Sequence, residues 1–186
     1  APICSFAGVN YDWEDTSGEN PMQVKYPRDY ILACSLGRQF GNRVGIMGYF
    51  HPKSKEQGRW LHRTGAGVML THEFRWNLWS GHDEYYKYHD LLCTWGYRTP
   101  EVDVWNYWDE DVRYPLTVSG VENASIAMAK KAAHEAYVCV SSFSAADGAV
   151  TVTPDAATLG LNPGWTATDA ETGKEIAVAN GSFKLE

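Results

Sequence analysis

The chain lacks the local motifs that mark several enzyme classes, and it also lacks a long apolar run. No HExxH or HxxxH pattern places two zinc-binding histidines on one helix. The GxSxG turn of serine hydrolases and the glycine patterns of phosphate and dinucleotide sites are missing as well. We therefore predict no metal site, no cofactor and no transmembrane segment, and no signal peptide is visible.

Basic residues and paired cysteines are also scarce, which excludes further classes. There are 16 Lys and Arg against 23 Asp and Glu, and the net charge of -7 argues against nucleic acid and anionic membrane as partners. The four cysteines are far apart and form no CxxC pair. Because each lies in an apolar context, we predict buried free thiols and no disulfide framework.

Aromatic residues are abundant, with eight Trp and eleven Tyr in 186 residues. A flat aromatic ring matches the C–H face of a pyranose, and acidic, aromatic-rich chains often bind neutral sugars. The alternative, that any single Trp only builds hydrophobic core, stays open at this point.

The chain shows two patterns that meet near residue 97. In the first, apolar runs alternate with helical periodicity: strands are predicted at 2–9, 43–50 and 66–72, and helices at 26–41, 54–65 and 80–97. From 98 onward, turn signals separate short strands at 102–108, 114–120, 124–131, 135–143, 149–154, 164–177 and 181–186. The segment "DAETGKE" predicts a hairpin turn with Gly173 at its tip. The predicted domains are therefore 1–97 and an antiparallel β-sandwich at 98–186.

Three βα units do not close a barrel, whereas eight do. The predicted strands are apolar on both faces, so they require neighbours on both edges. The predicted fold is α/β followed by all-β: the last βα units of a (β/α)8, TIM-like barrel, followed by a C-terminal antiparallel β-sandwich. The missing barrel segment would lie on the same precursor or on another chain.

In such a barrel, ligand-facing residues lie at the carboxyl ends of the strands. This rule predicts that substrate binds at Tyr11, Asp12, Trp13, His51, His72, Arg75, Trp76 and Trp79. Candidate catalytic acids are Glu14, Asp15 and Glu73. The alternatives are a solvated loop for the acids and packing for the tryptophans.

The segments "HEFRW…SGHDEYY", "VDVWNYWDED…PLTVSG" and "VCVSSF…TVTPDAATLGL…ATDAETGKEI…GSFKL" resemble bacterial proteins of glycoside hydrolase family 123. The resemblance covers the chain from about residue 66. It implies hydrolysis of N-acetylhexosaminides, with the substrate's acetamido group as nucleophile and an Asp-Glu pair assisting it. The resemblance also implies that this pair lies on a middle barrel strand, upstream of Ala1.

The expected function is that of the C-terminal portion of a carbohydrate-active, glycoside hydrolase-like enzyme. This portion would contribute a substrate-binding rim and an accessory β-sandwich. The alternative is a non-catalytic carbohydrate-binding or structural subunit of a larger assembly. A carbohydrate is the expected partner in both cases, and a secreted or periplasmic location is favoured over the cytoplasm.

Overall fold

A computed structural model of the chain describes residues 8–15, 26–35, 43–50, 52–76, 83–109, 112–144 and 146–186. The chain divides into two units, Ala1–Tyr88 and His89–Glu186. The first unit alternates strands and helices: β1 (Gly8–Asp15), α1 (Arg28–Ser35), β2 (Arg43–Phe50), α2 (Lys55–His72) and β3 (Arg75–Trp76). Helix α3 (Asp83–Trp95) begins in the first unit and ends in the second.

The strands of the first unit form a parallel sheet in the order β1-β2-β3. Strand β1 pairs with β2 from Gly8 opposite Arg43 to Asp15 opposite Phe50. Strand β3 pairs with β2 at two positions. Helices α1 and α2 lie in the connections between these strands, because parallel neighbours cannot be joined by a tight turn.

The segment 66–72, predicted as a third strand, is helical and belongs to α2. The helix begins where the Ser54 side chain accepts a hydrogen bond from the Gln57 backbone N–H at 3.1 Å. Its buried residues recur every three or four positions, as in Leu61, Gly65 and Met69. The run "AGVML" misled the prediction, because a continuous apolar run does not distinguish a buried helix from a buried strand.

Helix α2 ends in a left-handed cap. Glu73 has φ 54°, and the Phe74 backbone N–H donates to the Met69 carbonyl at 3.0 Å, which closes a Schellman motif. The third strand therefore begins only at Arg75. The predicted fold with its TIM-like barrel is wrong: within the described ranges, the parallel sheet has three strands in open order and no barrel arrangement is present.

The second unit consists mainly of antiparallel strands. They are β4 (Asp103–Asn106), β5 (Leu116–Gly120), β6 (Asn123–Lys130), β7 (Glu135–Ser142), β8 (Val150–Pro154), β9 (Ala167–Thr168), β10 (Glu175–Ile176), β11 (Val178–Ala179) and β12 (Ser182–Leu185). A 3-10 turn (Lys131–Ala133) follows β6, and a short helix α4 (Ala156–Leu159) follows β8. The sheets are β4-β6-β7, β11-β12-β8-β5 and the pair β9-β10.

The two larger antiparallel sheets share one hydrophobic core. Ala127 and Ala129 of β6 contact a buried cluster that includes Leu116 of β5, Val152 of β8 and Leu159 of α4. Burying one leucine side chain of this kind stabilises the fold by roughly 1.5–3 kcal/mol. The small alanine side chains leave room for the larger residues of the facing sheet.

The hairpin turn predicted at "DAETGKE" is present between β9 and β10. The Asp169 carboxylate accepts hydrogen bonds from the Glu171 backbone N–H at 2.8 Å and the Thr172 hydroxyl at 2.7 Å. Gly173 has φ 71°, and its N–H donates to the Asp169 carbonyl at 2.7 Å. This turn chemistry is readable from sequence because Asp and Gly each supply a distinct local interaction.

The thiols follow the prediction only in part. The three described cysteines are thiols outside any disulfide: Cys34 is buried, Cys139 is partly buried and Cys93 is exposed. The prediction of burial is therefore wrong for Cys93, which lies on helix α3. Cys4 lies outside the described residues.

Replacing Gly120 by Ala should destabilise the second unit strongly. Gly120 has φ 125°, and an added Cβ would overlap the Ala149 carbonyl oxygen and lie 3.1 Å from the Val150 Cα. Backbone strain and overpacking together predict a loss of about 2–4 kcal/mol in the free energy of unfolding, measured in urea.

The matched control is Gly164→Ala. Gly164 has φ 77°, but nothing lies within 4 Å of its added Cβ. Only the strain of the left-handed backbone applies there, so we expect a loss of about 1 kcal/mol. Equal losses in the two variants would show that the close approach at Gly120 does not constrain the fold.

Candidate functional site

The acidic and aromatic segment of the first unit lies on strand β1. Strand β1 spans Gly8–Asp15 and so continues beyond the predicted end of the strand 2–9, whose residues 2–7 lie outside the described ranges. The strand itself, and not a loop after it, therefore carries Tyr11, Asp12, Trp13, Glu14 and Asp15.

The register of the parallel sheet aligns part of this segment with strand β3. Tyr11 pairs with Ile46 of β2, and Ile46 pairs with Trp76 of β3. Arg75 occupies the adjacent row, opposite Gly45. Because neighbouring strands lie about 4.8 Å apart, the backbones of Tyr11 and Trp76 are separated by roughly 9.6 Å. The fold thus brings predicted binding residues 65 positions apart in the chain into one row.

The remaining candidates are not all in this row. Glu14 and Asp15 lie three and four residues further along β1, about 10–13 Å from the row of Tyr11. His51 and Trp79 lie outside the described residues. Their assignment to a ligand site stays a prediction.

His72 occupies the end of helix α2, not the end of a strand. Its side chain is 1% exposed, and its ring stacks on Phe74 with centroids 5.7 Å apart. The Val68 carbonyl lies 2.8 Å from Nδ1 and can only accept, so Nδ1 carries the proton and donates. The strand-end reasoning therefore does not apply to His72, whose ring is held within the packing of its own helix end.

Burial controls the charge of this imidazole. The pKa of His72 is lowered from 6.5 to about 4, mainly by loss of hydration and to a smaller extent by the positive charge of Arg28. The hydrogen bond to the Val68 carbonyl opposes this change, because it favours the protonated ring. His72 is therefore neutral at physiological pH.

Glu73 is the residue of the left-handed cap that ends α2. Its side chain is partly buried, and it follows a helix where the end of a strand was predicted. Its backbone position is set by the two capping hydrogen bonds to Met69 and Leu70. Any catalytic role of Glu73 stays a prediction, without the strand-end argument that first suggested it.

The second unit carries a cluster of rings and lysines at one end of sheet β4-β6-β7. The Lys130 Nζ lies 4.8 Å from the centroid of the Trp95 ring, and that ring lies 5.7 Å from the Tyr137 ring. The adjacent Lys131 Nζ lies 5.2 Å from the Trp105 ring. The cluster combines ring faces with positive charges on partly exposed side chains, which suits a polar ligand.

This cluster cannot be recognised from the sequence alone. "MAKKAAHEAY" resembles an ordinary strand and turn, and the two lysines resemble a solvated pair. Only the antiparallel register, with Met128 opposite Tyr137, brings Tyr137 beside the end of β6. The nearby stretch 104–108 is mainly structural, since Trp105 packs against the shared core and Tyr107 meets Trp108 edge-on at 5.0 Å.

Neither a metal-binding group nor a membrane-spanning helix is found in the part of the chain that the structure describes. No group of three or more His, Cys, Asp or Glu side chains there could hold a metal ion. None of the described helices has both the length and the apolar character needed to cross a bilayer.

Comparison with known proteins yields no match: no family model, no curated protein and no solved structure matches this chain. Any function must therefore be argued from the residues and their geometry. Two features could bind a ligand: the row of Tyr11 and Trp76 in the first unit, and the ring and lysine cluster of the second unit.

The state of His72 can be measured directly by NMR titration of its imidazole. Because the pKa in the folded protein lies near 4, below the ordinary 6.5, the ring should stay neutral until the pH approaches 4. The associated stability, up to about 3 kcal/mol, is fully present above pH 6.5 and is lost as the pH falls towards 4.

The variant His72→Gln identifies the resonance and supplies the control. Its free energy of unfolding should depend less steeply on pH between 6.5 and 4 than that of the parent chain. A His72 resonance that titrates between pH 6 and 7 in the folded chain would show that the ring is hydrated and accessible.

Proposed function

We propose that this chain is the glycan-binding part of a carbohydrate-active, glycoside hydrolase-like protein. The observation that supports the proposal is the register that aligns Tyr11 of β1 with Trp76 of β3 across one parallel sheet. Strand β1 also carries three carboxylates, at Asp12, Glu14 and Asp15. Aromatic rings bind sugars through contacts with C–H groups, and carboxylates accept hydrogen bonds from sugar hydroxyls.

The class of sugar comes from the resemblance to glycoside hydrolase family 123, which implies an N-acetylhexosaminide. In that chemistry the acetamido oxygen of the substrate attacks the anomeric carbon while an acid protonates the departing glycosidic oxygen. Water then opens the cyclic intermediate. A neighbouring carboxylate orients the acetamido N–H, and the resemblance assigns this Asp-Glu pair to no residue of this chain.

The role proposed for this chain is therefore binding rather than bond cleavage. Trp13 and Trp76 share one face of the sheet with Tyr11 and are proposed to contact a pyranose face. Asp12 and Arg75, at the alternate positions of the two outer strands, are proposed to contact hydroxyls of a glycan that extends past the edge of the sheet. Glu14 and Asp15 are the positions at which a catalytic acid of this chain would be sought.

A second candidate function is a non-catalytic carbohydrate-binding module. The cluster of Trp95, Lys130 and Tyr137 in the second unit favours it, because this unit carries rings and a cation apart from the β1 segment. The two functions are compatible in one protein, since each uses a different unit.

Calorimetric titration with N-acetylglucosamine oligomers tests the proposed function. The 186-residue chain should bind them. Asp12→Asn and Trp13→Ala should each weaken binding about 10-fold, because a lost charged hydrogen bond or aromatic contact is worth roughly 1–2 kcal/mol. Asp147→Asn and Trp60→Ala are matched controls on exposed residues and should leave the affinity unchanged.

Hydrolysis of 4-nitrophenyl N-acetylhexosaminides is measured beside binding. The chain alone should release no nitrophenol. Turnover that Glu14→Gln or Asp15→Asn abolishes would place a catalytic acid on β1 and contradict the proposed role in binding alone. Absence of binding to every N-acetylhexosamine oligomer, or full affinity in Asp12→Asn, would contradict the proposal itself.

A further inference from the structure

Two consecutive lysines at the end of β6 have different electrostatic surroundings. The Lys131 ammonium forms an ion pair with Asp103 at 2.9 Å and lies over the Trp105 ring. The Lys130 ammonium lies over the Trp95 ring, and among the described residues no carboxylate pairs with it. One of the two charges is thus compensated and the other is not.

A carboxylate is available close to Lys130, although no described carboxylate pairs with it. Glu135 occupies the position directly opposite Lys130 in the β6-β7 ladder, yet the ammonium turns to the ring of Trp95. A Cβ added to Gly96 would lie 3.1 Å from Cε and 3.2 Å from Nζ of Lys130, so the head group rests against this glycine. Gly96 has φ 101°, a conformation that keeps larger residues out of this position.

Lys130 is therefore a positioned cation and not a freely rotating surface lysine. Its side chain is partly buried, and its end is enclosed by the Trp95 ring and the Gly96 backbone. A partly desolvated charge without a counter-ion attracts an anion more strongly than a fully hydrated one. A ligand that supplies one negative charge would complete the interactions of this group.

The neighbouring rings define the rest of such a ligand. Trp95 and Tyr137 are partly exposed, with ring planes inclined at 53°. Burial raises the pKa of Tyr137 to about 12, with smaller contributions from Cys139 and from the negative charges of Glu171 and Asp169. Its hydroxyl therefore stays protonated and can donate a hydrogen bond at neutral pH. Two ring surfaces suit the C–H faces of a pyranose, and one ammonium suits one carboxylate.

We infer that Trp95, Lys130 and Tyr137 form a binding site for an acidic sugar residue, a hexuronate whose carboxylate pairs with the Lys130 ammonium. A phosphate group fits less well, because it calls for several donors or a bidentate arginine, and the cluster supplies one lysine. The inference rests on the second candidate function, carbohydrate binding by the second unit, and adds the charged class of sugar that this cluster binds.

Calorimetry with trigalacturonate as the probe, at low and moderate salt, tests this site on the full 186-residue chain. Lys130→Gln should weaken binding at least 10-fold, whereas Lys131→Gln, at the lysine already paired with Asp103, should change it less than about twofold. Glu135→Gln should strengthen binding about two- to threefold, because it removes a nearby negative charge. The affinity of the parent chain should fall as salt is raised.

The test compares how much Lys130→Gln and Lys131→Gln each weaken the binding of trigalacturonate. Equal effects of Lys130→Gln and Lys131→Gln, or no binding of trigalacturonate by the parent chain, would overturn the inference and leave Lys130 as a packing residue over Trp95. Urea unfolding of each variant shows whether it is folded. Should Lys130→Gln prove unstable, Lys130→Arg with retained binding and Glu135→Gln with tighter binding support the site, and the opposite results reject it.

A neutral N-acetylglucosamine trimer, titrated in parallel, separates this inference from the proposed function. Binding of the neutral trimer alone overturns the acidic site and leaves the proposed function standing. Binding of trigalacturonate alone, lost in Lys130→Gln, supports the acidic site and contradicts the proposed function. Binding of neither sugar overturns both.

Discussion

The burial of strand β6 on both faces is the constraint on which the second unit depends. Every residue from Ala124 to Ala129 is buried. Ala127 and Ala129 contact the core shared with the facing sheet, whereas the alternate residues Ile126 and Met128 lie on the other face. A shift of one residue would exchange the two sets, so the register with β4 and β7 is strongly specified. This register in turn places Lys130 at the end of the strand.

As a result, two neighbouring lysines have different ion pairing, and this difference matters for ligand binding. Lys130 and Lys131 are adjacent, and each lies over a tryptophan, an interaction worth about 0.5–2 kcal/mol. Strand alternation and the following 3-10 turn give them different surroundings, and only Lys131 pairs with Asp103. In the first unit, the parallel register has the corresponding effect, because it aligns Tyr11 with Trp76. In both units, backbone pairing assembles groups that are distant in sequence.

The sequence predicted helices, strands and turns correctly where a single local interaction, such as a helix cap or a turn hydrogen bond, determines the structure. Strand 43–50 and the hairpin turn around Gly173 are confirmed, and α2 begins at the predicted cap, Ser54. The sequence failed at 66–72, where an apolar run fits a buried helix as well as a strand, and the barrel inferred from a third strand there failed with it. The pair of Trp95 and Lys130 was not predictable, because it depends on sheet register and on a glycine cap after α3.

The β1 segment and β3 are together proposed to bind an N-acetylhexosamine glycan. Hydrogen–deuterium exchange of the chain with and without a saturating N-acetylglucosamine oligomer tests this binding most directly, because the method reports protection by segment. The account predicts slower exchange in peptides that cover Gly8–Asp15 and Arg75–Trp76 when the oligomer is present. Protection confined to His89–Glu186, or no protection at all, would contradict it.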